Sequence, residues 1–328
     1  MNEPHGTVTA VIPTWNRADL LTNVLKCLKN QTYALSSIIV VDNGSEDGSA
    51  DIAVAHGARV IRIPTNRGFA HAVNRGWRAA DSDWVAILNN DVDLPPDWIS
   101  TIVEEAARVR AGFASGKLVS ASDTGKINGT YDLVCRAGTA WRAGNGRADG
   151  AFWSKPSSVR FVSFTAALLS RAAISAVGEL DERFESYYED VDWCIRAARL
   201  GVSGVYVPMA VGTHAGSATL GAWRDATVRL QSRNQLLLHA KHFRGSGAWP
   251  ATVGQLLWAG MACRHAAATA ALRGKIDGIR AYRGWCSEPS SWPAIQTAVE
   301  ASETLIRQLQ EQTGWDPYWK LYFQLTGK

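Results

Sequence analysis

The 328-residue sequence lacks the features that mark several common classes of protein. Its five cysteines are odd in number, widely scattered and never arranged as a CxxC pair, so neither a disulfide framework nor a structural zinc site is predicted. No long tract of Pro, Gly or Ser and no block of like charge occurs. A chain that is mainly disordered, collagenous or a coiled-coil array is therefore excluded.

Long hydrophobic runs are also scarce. The N-terminal residues MNEPHGTVTAVIP contain no basic segment followed by an apolar one, so no signal peptide is predicted. The most apolar long window, residues 251–272, is interrupted by Gln255, Arg264 and His265. It is a poor membrane span and a better buried or interfacial helix. We expect a cytoplasmic protein, with peripheral contact to the inner face of the membrane as an open alternative.

The sequence has little excess of charge of one sign. The net charge of +4 is too small to indicate a nucleic-acid partner. Residues 241–328 contain 10 basic and 6 acidic residues, which leaves 24 of each in residues 1–240. The whole excess, together with six of the fourteen Trp, therefore lies in the last quarter of the chain.

The first hundred residues alternate short apolar runs with segments of helical periodicity. This pattern predicts an α/β fold with a parallel sheet and crossover helices. Strands are predicted at 7–12, 37–41, 59–63 and 84–88, and helices at 19–30, 48–56 and 69–80. Pro13 is expected to end the first strand. In such sheets, ligands bind beyond the carboxyl ends of the strands, so the polar residues that follow each strand are candidates for a site.

The rest of the chain is less regular. Residues 120–157, rich in Gly, Ala and Arg, are predicted to form a long loop. The following elements are predicted as strands at 161–169 and 205–207 and helices at 171–177 and 191–200. Beyond residue 230 the pattern is helical. The stripe of Ile295, Val299, Ile306 and Leu309 suits a helix packed on the core or on a second subunit.

Two acidic clusters have the composition of a catalytic site. In the first, residues 89–93 (NNDVD), Asp91 at a strand end is a candidate ligand for a hard divalent cation, whereas Asp93 is better explained as a helix cap before two prolines. In the second, residues 188–193 (YEDVDW), Asp192 and Arg196 have the spacing of a helical ion pair. Glu189 and Asp190 remain as candidates for acid–base chemistry, or as acidic residues that stabilise a helix start.

Five motifs, with their order and spacing over about 240 residues, resemble those of family 2 glycosyltransferases of the GT-A fold, in the branch that includes bacterial rhamnosyltransferases. The motifs are PTWNR (13–17), VVDNGSEDGS (40–49), NRGFA (66–70) with NRG (74–76), LNNDV (88–92), and LDERF (180–184) with YEDVDWCIR (188–196). The resemblance implies a GT-A domain at residues 1–240, with a Rossmann-like mixed sheet flanked by helices. Residues 241–328 lie outside it as a helical C-terminal extension.

The resemblance also implies a nucleotide-sugar donor as partner. Asp42 would accept a hydrogen bond from the pyrimidine base, although it could equally close the DNGS turn. Gly68 would allow the backbone to approach the donor sugar. The residues implied in donor binding are Pro13, Thr14, Asn16, Arg17, Asp42, Asn66, Gly68, Asn89, Asn90 and Asp91.

A divalent cation, Mg²⁺ or Mn²⁺, is the implied cofactor. Residues 89–91 stand at the family's DXD position, with Asn89 in place of the first Asp, and Asp91 would hold the cation at the diphosphate. His214 matches a histidine that can complete the metal shell, although a lone His near a turn is more often only a polar residue.

Asp190 matches the general base of an inverting transferase, which takes the proton from an acceptor hydroxyl as that oxygen attacks the anomeric carbon. Glu189 would neighbour the acceptor. Arg233 and Asn234 match a pair that contacts acceptor or diphosphate, with a solvated helix face as the alternative.

The predicted function is therefore metal-dependent transfer of a sugar, with dTDP-rhamnose preferred as the donor, to a cell-surface glycan or lipid-linked acceptor. Transfer of a galactofuranosyl, glucosyl or N-acetylhexosaminyl group from a UDP donor is the alternative, followed by a degenerate sugar-nucleotide-binding protein. Trp and Arg in residues 241–328 suit contact with an anionic membrane, whereas core packing or a homodimer through these helices is the alternative.

Overall fold

The computed structural model describes residues 5–216, 223–286 and 291–327. The strands are β1 (Val8–Thr14), β2 (Ser37–Asp42), β3 (Arg59–Arg62), β4 (Trp84–Leu88), β5 (Val92–Asp93), β6 (Phe113–Ser120), β7 (Asp123–Gly129), β8 (Asp132–Val134), β9 (Ala140–Arg142), β10 (Ser157–Val159), β11 (Ala166–Ser170) and β12 (Gly204–His214). The helices are α1 (Ala18–Lys29), α2 (Ser49–Ala55), α3 (Phe69–Ala79), α4 (Trp98–Arg108), α5 (Arg171–Val177), α6 (Glu189–Arg199), α7 (Asp225–Leu238), α8 (Ala248–Arg264), α9 (Ala268–Trp285), α10 (Trp292–Thr313) and α11 (Pro317–Thr326).

A large mixed sheet forms the centre of the molecule, with the strand order β10-β12-β6-β11-β4-β1-β2-β3. Strands β1 to β4 pair in parallel, which confirms the predicted α/β alternation of the first hundred residues. β11 is antiparallel to both β4 and β6. β12 runs parallel to β6, and β5 pairs with its last residues.

Alternate residues of the central strands enter two separate hydrophobic layers, one on each face of the sheet. Val85 and Ile87 of β4 join the layer that contains Trp77 and Trp193, whereas Ala86 and Leu88 join the layer that contains Trp98. Successive side chains of a strand point to opposite faces, so a continuous apolar run such as WVAIL is explained by helices on both sides.

The first strand does not end at Pro13, as the sequence had suggested. β1 continues to Thr14, with Pro13 opposite Val41 and Thr14 opposite Asp42 of β2. The pairing of β1 with β4 ends earlier, at Val11. With a neighbour on one side only, the strand tolerates the missing N–H of proline.

The prediction of one long loop at 120–157 is wrong. This segment contains β7, which pairs with β6, and the hairpin of β8 and β9. β8 and β9 have only three residues each, and their hairpin is joined to a more distant segment by the bridge between Asp132 and Phe161. Local periodicity does not reveal pairing that depends on distant partners.

Three further predictions need correction. The strand predicted at 161–169 is confined to β11, and the strand predicted at 205–207 extends through all of β12, across an irregularity between Val207 and Val211. Asp93 does not cap a helix, because α4 begins at Trp98 after Asp97. The Asp93 carboxylate instead accepts a hydrogen bond from the Cys27 thiol at 3.0 Å.

The C-terminal helices pack against the rest of the chain. The stripe on α10, Ile295, Val299, Ile306 and Leu309, is buried in the same hydrophobic cluster as Trp193 of α6. The Ser302 hydroxyl of α10 accepts a hydrogen bond from the Val134 amide of β8 at 2.7 Å. Core packing is therefore the role of this stripe. In the described part of the chain, no helix combines the length and hydropathy needed to cross a membrane.

Candidate active site

A cavity of about 520 Å³ opens at the carboxyl edge of the central strands. It is bordered by the loops after β1, β2 and β4, the end of β12 and the start of α6. The predicted site residues that line it are Pro13, Thr14, Asn66, Asn89, Asn90, Asp91, Glu189, Asp190 and His214. The other predicted residues, which are not among its lining residues, are Asn16, Arg17, Asp42, Gly68, Arg233 and Asn234.

The loop after β1 is tied to the loop after β2. The Asn16 amide donates to the Ser45 hydroxyl at 3.0 Å, and the Asn16 side-chain oxygen accepts from the Glu46 amide at 2.8 Å. The Arg17 guanidinium pairs with Asp19, with 3.1 Å between nitrogen and oxygen. Asn16 and Arg17 thus shape the loop on which the cavity residues Pro13 and Thr14 lie.

Asp42, at the end of β2, closes the turn that follows it. Its Oδ1 accepts a hydrogen bond from the Ser45 amide at 3.0 Å, and the residue is 5% exposed. The turn-closing role is therefore confirmed for Asp42. Its contact with a pyrimidine base stays a prediction.

Asn43 connects the loops after β2 and β3, a role that the sequence did not reveal. Its amide nitrogen donates to the Asn66 side-chain oxygen at 2.9 Å and to the Gly68 carbonyl at 3.0 Å, and its own oxygen accepts from the Arg67 amide. Asn43 also lines the cavity. From the sequence, Asn43 was identified within the DNGS motif only as a turn residue.

Gly68 allows a close approach of two backbone segments. Its φ is +86°, and a Cβ atom at this position would lie 2.5 Å from the carbonyl oxygen of Glu185. The structure thus places the segment before α6, which leads to Asp190, directly against Gly68. Close contact within the protein alone is enough to require glycine here.

Asp91 and His214 come together because β5 pairs with the end of β12, where Val92 lies opposite His214. His214 Nε2 lies 3.1 Å from Asp91 Oδ1, and each side chain is 6% exposed. His214 Nδ1 is 2.7 Å from the side-chain oxygen of Asn128 and donates to it, so in a neutral imidazole the Nε2 lone pair is on the side of the carboxylate. Asp91 Oδ1 has no hydrogen-bond partner in the described part of the chain.

Two electron-pair donors that face each other in a buried place fit a bound cation. The described residues contain no group of three or more His, Cys, Asp or Glu side chains that could hold a metal. A cation between Asp91 and His214 would therefore need further oxygen ligands from a substrate or water. The neighbouring Asn90 donates through its amide nitrogen to the Thr14 hydroxyl at 2.9 Å, and this bond does not engage its side-chain oxygen.

Asp190 lies at the start of α6, where two backbone amides hold its carboxylate. Val191 N donates to Oδ1 at 2.8 Å and Phe164 N donates to Oδ2 at 3.3 Å. Burial nevertheless raises the pKa of Asp190, while the charge of Arg142 acts in the opposite direction. A carboxylate with a raised pKa and a fixed orientation is suited to take a proton.

Two more acids surround Asp190. Burial raises the pKa of Asp132 to about 7, against the effect of Arg142, whose Nε lies 3.7 Å from Asp132 Oδ1. Burial and the charge of Asp190 raise the pKa of Glu189 well above its usual range, which favours its neutral form relative to that of an exposed glutamate. Asp132 and Arg142 face each other on the β8–β9 hairpin, and both line the cavity.

Sequence reasoning missed Asp132 and Arg142 because they lie in the segment predicted as a loop. No local sequence pattern identified them. Their hairpin reaches the site through a contact with another segment, the hydrogen bond from the Asp132 amide to the Phe161 carbonyl at 3.0 Å. Arg142 also donates to the Ser163 hydroxyl at 2.5 Å.

A strained turn precedes α6, with positive φ at Glu185, Tyr187 and Tyr188. Left-handed backbone is unfavourable for residues other than glycine, so neighbouring groups must hold this conformation. The Asn234 amide nitrogen, fully buried on α7, donates to the carbonyls of three turn residues, at distances of 2.7 to 2.9 Å. These residues are Phe184, Ser186 and Tyr187.

Arg233 supports the same turn. Its guanidinium lies 2.5 Å from Glu185 Oε1 and donates to the carbonyls of Arg183 and Phe184. The alternative of a solvated helix face is therefore wrong for the Arg233–Asn234 pair. Their position favours a positioning role for the turn that carries Glu189 and Asp190, while direct contact with a ligand stays a prediction.

The fold and this cavity define a class of protein. A mostly parallel sheet, polar loops at its carboxyl edge and a helical C-terminal region are the architecture of GT-A glycosyltransferases. A mannosyltransferase from Pyrobaculum calidifontis, solved with GDP-Man and Mn²⁺, superposes with a TM-score of 0.54 at 20% identity, over 97% of this chain and 86% of that one. GalNAc-T7, solved with UDP, GalNAc and Mn²⁺, superposes with a TM-score of 0.64 at 14% identity, over 96% of this chain and 59% of that one.

The chain belongs to glycosyl transferase family 2, whose profile matches residues 9–178. An N-acetylglucosaminyl-diphospho-decaprenol L-rhamnosyltransferase of Mycobacterium tuberculosis is 30% identical over 289 residues, which cover 78% of this chain and 92% of that protein. A pre-mycofactocin glycosyltransferase of the same organism is 29% identical over 222 residues, which cover 67% of this chain and 45% of that protein. The chain is thus a glycosyltransferase similar to rhamnosyltransferases.

Proposed function

We propose that this protein is an inverting glycosyltransferase that moves a sugar, preferably rhamnose from dTDP-rhamnose, to a hydroxyl of a lipid-linked glycan. The observation that carries the proposal is the single cavity that brings Asp190 together with Asp91 and His214. The Asp190 carboxylate can take a proton there. The Asp91 carboxylate and His214 are the groups that would face the diphosphate of the donor. The GT-A domain would comprise residues 1–240, with residues 241–328 as the extension that meets acceptor or membrane.

Asp190 is the proposed general base. Its carboxylate takes the proton from the acceptor hydroxyl while that oxygen forms a bond to the anomeric carbon, and the bond from the anomeric carbon to the diphosphate breaks. Attack from the face opposite the nucleotide inverts the anomeric centre, and no covalent intermediate is needed. The amides of Val191 and Phe164 fix the orientation of the carboxylate, which reduces the entropic cost of the step.

Asp91 and His214 are the proposed holders of a divalent cation, Mg²⁺ or Mn²⁺. When bound, such a cation neutralises the developing charge of the diphosphate. The Asn128 side chain keeps His214 in the tautomer whose Nε2 can ligate. The bond from the Asn89 amide to the Thr165 carbonyl holds the loop after β4 against the sheet.

The acceptor and donor are inferred from the relative. Its name describes transfer of L-rhamnose to a lipid diphosphate that carries N-acetylglucosamine. We propose the same acceptor class here, with Glu189 next to the acceptor. Asp42 and the loop at Pro13 to Arg17 are the proposed contacts of the pyrimidine base, and Asn66 that of the donor.

A donor panel tests the sugar. We expect turnover of dTDP-rhamnose with a polyprenyl-diphosphate N-acetylglucosamine acceptor above that of UDP-galactofuranose, UDP-glucose and UDP-N-acetylglucosamine. Turnover of a UDP-sugar above that of dTDP-rhamnose would replace the rhamnosyl assignment by the UDP-sugar alternative. Absence of transfer with every donor, together with retained nucleotide binding, would indicate a degenerate sugar-nucleotide-binding protein.

Two neighbouring substitutions test the base. Asp190→Asn removes the proton acceptor and should lower kcat by about 10³-fold, the usual contribution of such catalysis, while binding of dTDP by calorimetry is retained. Glu189→Gln, the matched control, makes the same change of acid to amide one residue away and leaves the proposed base in place, so kcat should stay within about tenfold of the parental value. Equal losses in the two variants would remove Asp190 from its special role.

The cation is tested by its removal. Treatment with a chelator should abolish transfer, and added Mn²⁺ or Mg²⁺ should restore it. Asp91→Asn should weaken binding of Mn²⁺ in the presence of dTDP, measured by electron paramagnetic resonance without any turnover. Transfer that persists in the chelator would exclude the proposed cation.

A further inference from the structure

Exposed apolar side chains are concentrated on three C-terminal helices. In the described part of the chain, twelve large hydrophobic side chains are exposed, and seven of them lie on α8, α9 and α11. We call these seven the outer helical face: Trp249, Leu256, Leu272, Ile276, Ile279, Leu321 and Leu325. Single exposed apolar residues need no explanation, whereas a cluster of this size marks an interaction surface.

The apolar residues of α9 form a stripe. Leu272, Ile276 and Ile279 have the spacing of four and three that places side chains on one face of a helix, and they are 62%, 38% and 66% exposed. Arg273 and Arg280, also exposed, lie beside this stripe. An apolar stripe with adjacent arginines is the pattern of a helix that lies in a membrane interface.

α9 packs beside α8 and α7. The Lys275 ammonium of α9 is hydrogen bonded to Gln255 of α8 and to Gln235 of α7. The stripe of α9 lies outside these contacts, since its three side chains are exposed. α11 packs beside α8 as well, where the Trp249 indole of α8 donates to the Leu325 carbonyl of α11 at 2.8 Å.

The charge of these three helices is predominantly positive. Their basic residues at exposed positions are Arg264, Arg273, Arg280, Arg283 and Lys320. The single acidic residue within α8, α9 and α11 is Asp277, and it forms an ion pair with Arg229 of α7 at 2.7 Å. The outer helical face is thus apolar and basic, which complements an anionic lipid surface.

The same helices reach the active-site cavity. Trp258 of α8 lines the cavity, and its indole donates to the Ser232 hydroxyl of α7 at 2.9 Å. Residues 256 and 258 are about 200° apart around the helix axis, so α8 contributes one face to the cavity wall and the opposite one to the outer helical face. The cavity and this surface are therefore adjacent.

We propose that the outer helical face binds the surface of an anionic lipid bilayer and so places the cavity beside the membrane. A second copy of the chain fits less well, because a symmetric dimer would bring the arginines of α9 in both copies together. This inference deepens the proposed function, since a lipid-linked acceptor would then be held where the enzyme docks. It does not require that function, because the bilayer contact needs no sugar.

Vesicle co-sedimentation of the full chain tests the surface. We expect binding to vesicles of phosphatidylglycerol and phosphatidylcholine, weak binding to phosphatidylcholine alone, and loss of binding at high salt. The triple variant L272S/I276S/I279S should lower the partition coefficient at least about tenfold, because three apolar side chains no longer enter the interface. Circular dichroism checks that each variant is folded.

Matched variants elsewhere on the surface serve as controls. V54S/L200S/M209S removes three equally exposed apolar side chains outside the three helices and should bind as the parent does. R273E/R280E should lower binding at least about tenfold, whereas K26E/K29E, with the same change of charge on α1, should lower it less.

Three results would overturn the inference. One is absence of parental binding to the anionic vesicles, and another is an equal effect of the triple variant and its control. The third is a parental dimer in sedimentation velocity that the triple variant converts to monomer without any vesicle binding, which would assign the surface to a second copy. Transfer to a short, water-soluble acceptor tests the proposed function separately, since it requires no bilayer.

Discussion

Arg142 should set the pH at which the catalytic carboxylates ionise. Burial raises the pKa values of Asp132 and Asp190, and in both cases the charge of Arg142 opposes that effect. A general base acts in its ionised form, so the rate should fall as the pH falls through its pKa. Arg142→Met removes the opposing charge. Both pKa values should then rise, and the acidic limb of the kcat profile should move to higher pH.

The size of this shift follows from the distance between the charges. Arg142 Nε lies 3.7 Å from Asp132 Oδ1, and the Arg142 side chain is 32% exposed. At an effective dielectric constant of about 20, this separation corresponds to about 4.5 kcal/mol, or a ceiling of about 3 pKa units. Solvent screens the charge of the partly exposed guanidinium, and in the variant water occupies the space that the guanidinium leaves. Both reduce the pKa shift below this ceiling. The ceiling applies to Asp132; the pKa of Asp190, and with it the acidic limb of kcat, should move in the same direction by less than this.

The assay is kcat measured from pH 5 to 9 with a saturating donor. Arg142→Lys keeps the charge and should keep the midpoint of the acidic limb near its parental value, even where the rate is lower because the bond to Ser163 is altered. The reasoning is refuted if the midpoint of the acidic limb for Arg142→Met coincides with that of the parent and kcat is lower by the same factor at every pH. Arg142 would then support the transfer step without setting the ionisation of the carboxylates.

Three other substitutions have defined outcomes. Gly68→Ala places a methyl group against the Glu185 carbonyl in left-handed backbone, and urea denaturation should show about 2–4 kcal/mol less stability. Asn234→Ala removes a donor from three carbonyls of the turn and should lower kcat more than dTDP affinity, measured by kinetics and calorimetry, because the turn before Asp190 loses part of its support. Asp192→Asn, which breaks buried pairs with Lys241 and two other side chains, should cost about 3–5 kcal/mol in urea denaturation at pH 7. The pairs with Lys241, Arg196 and His242 lower the pKa of Asp192, so this difference should shrink as the pH falls below about 4.

The sequence predicted the first half of the fold well for a physical reason. β2 and β4 contain continuous apolar runs, and α1 and α3 each have an apolar stripe, so local patterns were sufficient there. The same local information placed polar residues at the carboxyl edge, because parallel strands bring their ends to one side. The pairing of Asp192 with Arg196 was predicted from helical spacing alone and is confirmed at 2.9 Å.

The residues that interact across long sequence distances were beyond such reasoning. Asp132 and Arg142 belong to a hairpin whose strands are three residues each and carry no periodic signal. Asn43 was recognisable as a turn residue, but its bonds to Asn66 and Gly68 depend on the position of the loop after β3. The seven apolar residues of the outer helical face gave no signal of exposure, since a helical stripe looks the same whether it is buried or exposed.

By itself the sequence determined the α/β alternation, the motif order of a family 2 glycosyltransferase and the identity of the acids at the strand and helix ends. Only the tertiary structure decided which of these groups share one cavity, that Arg233 and Asn234 hold the turn before Asp190, and that the stripe on α10 is buried whereas the stripe on α9 is exposed. The reason is physical. Propensity and periodicity are local, whereas burial, ionisation and exposure depend on which distant segment packs against each residue.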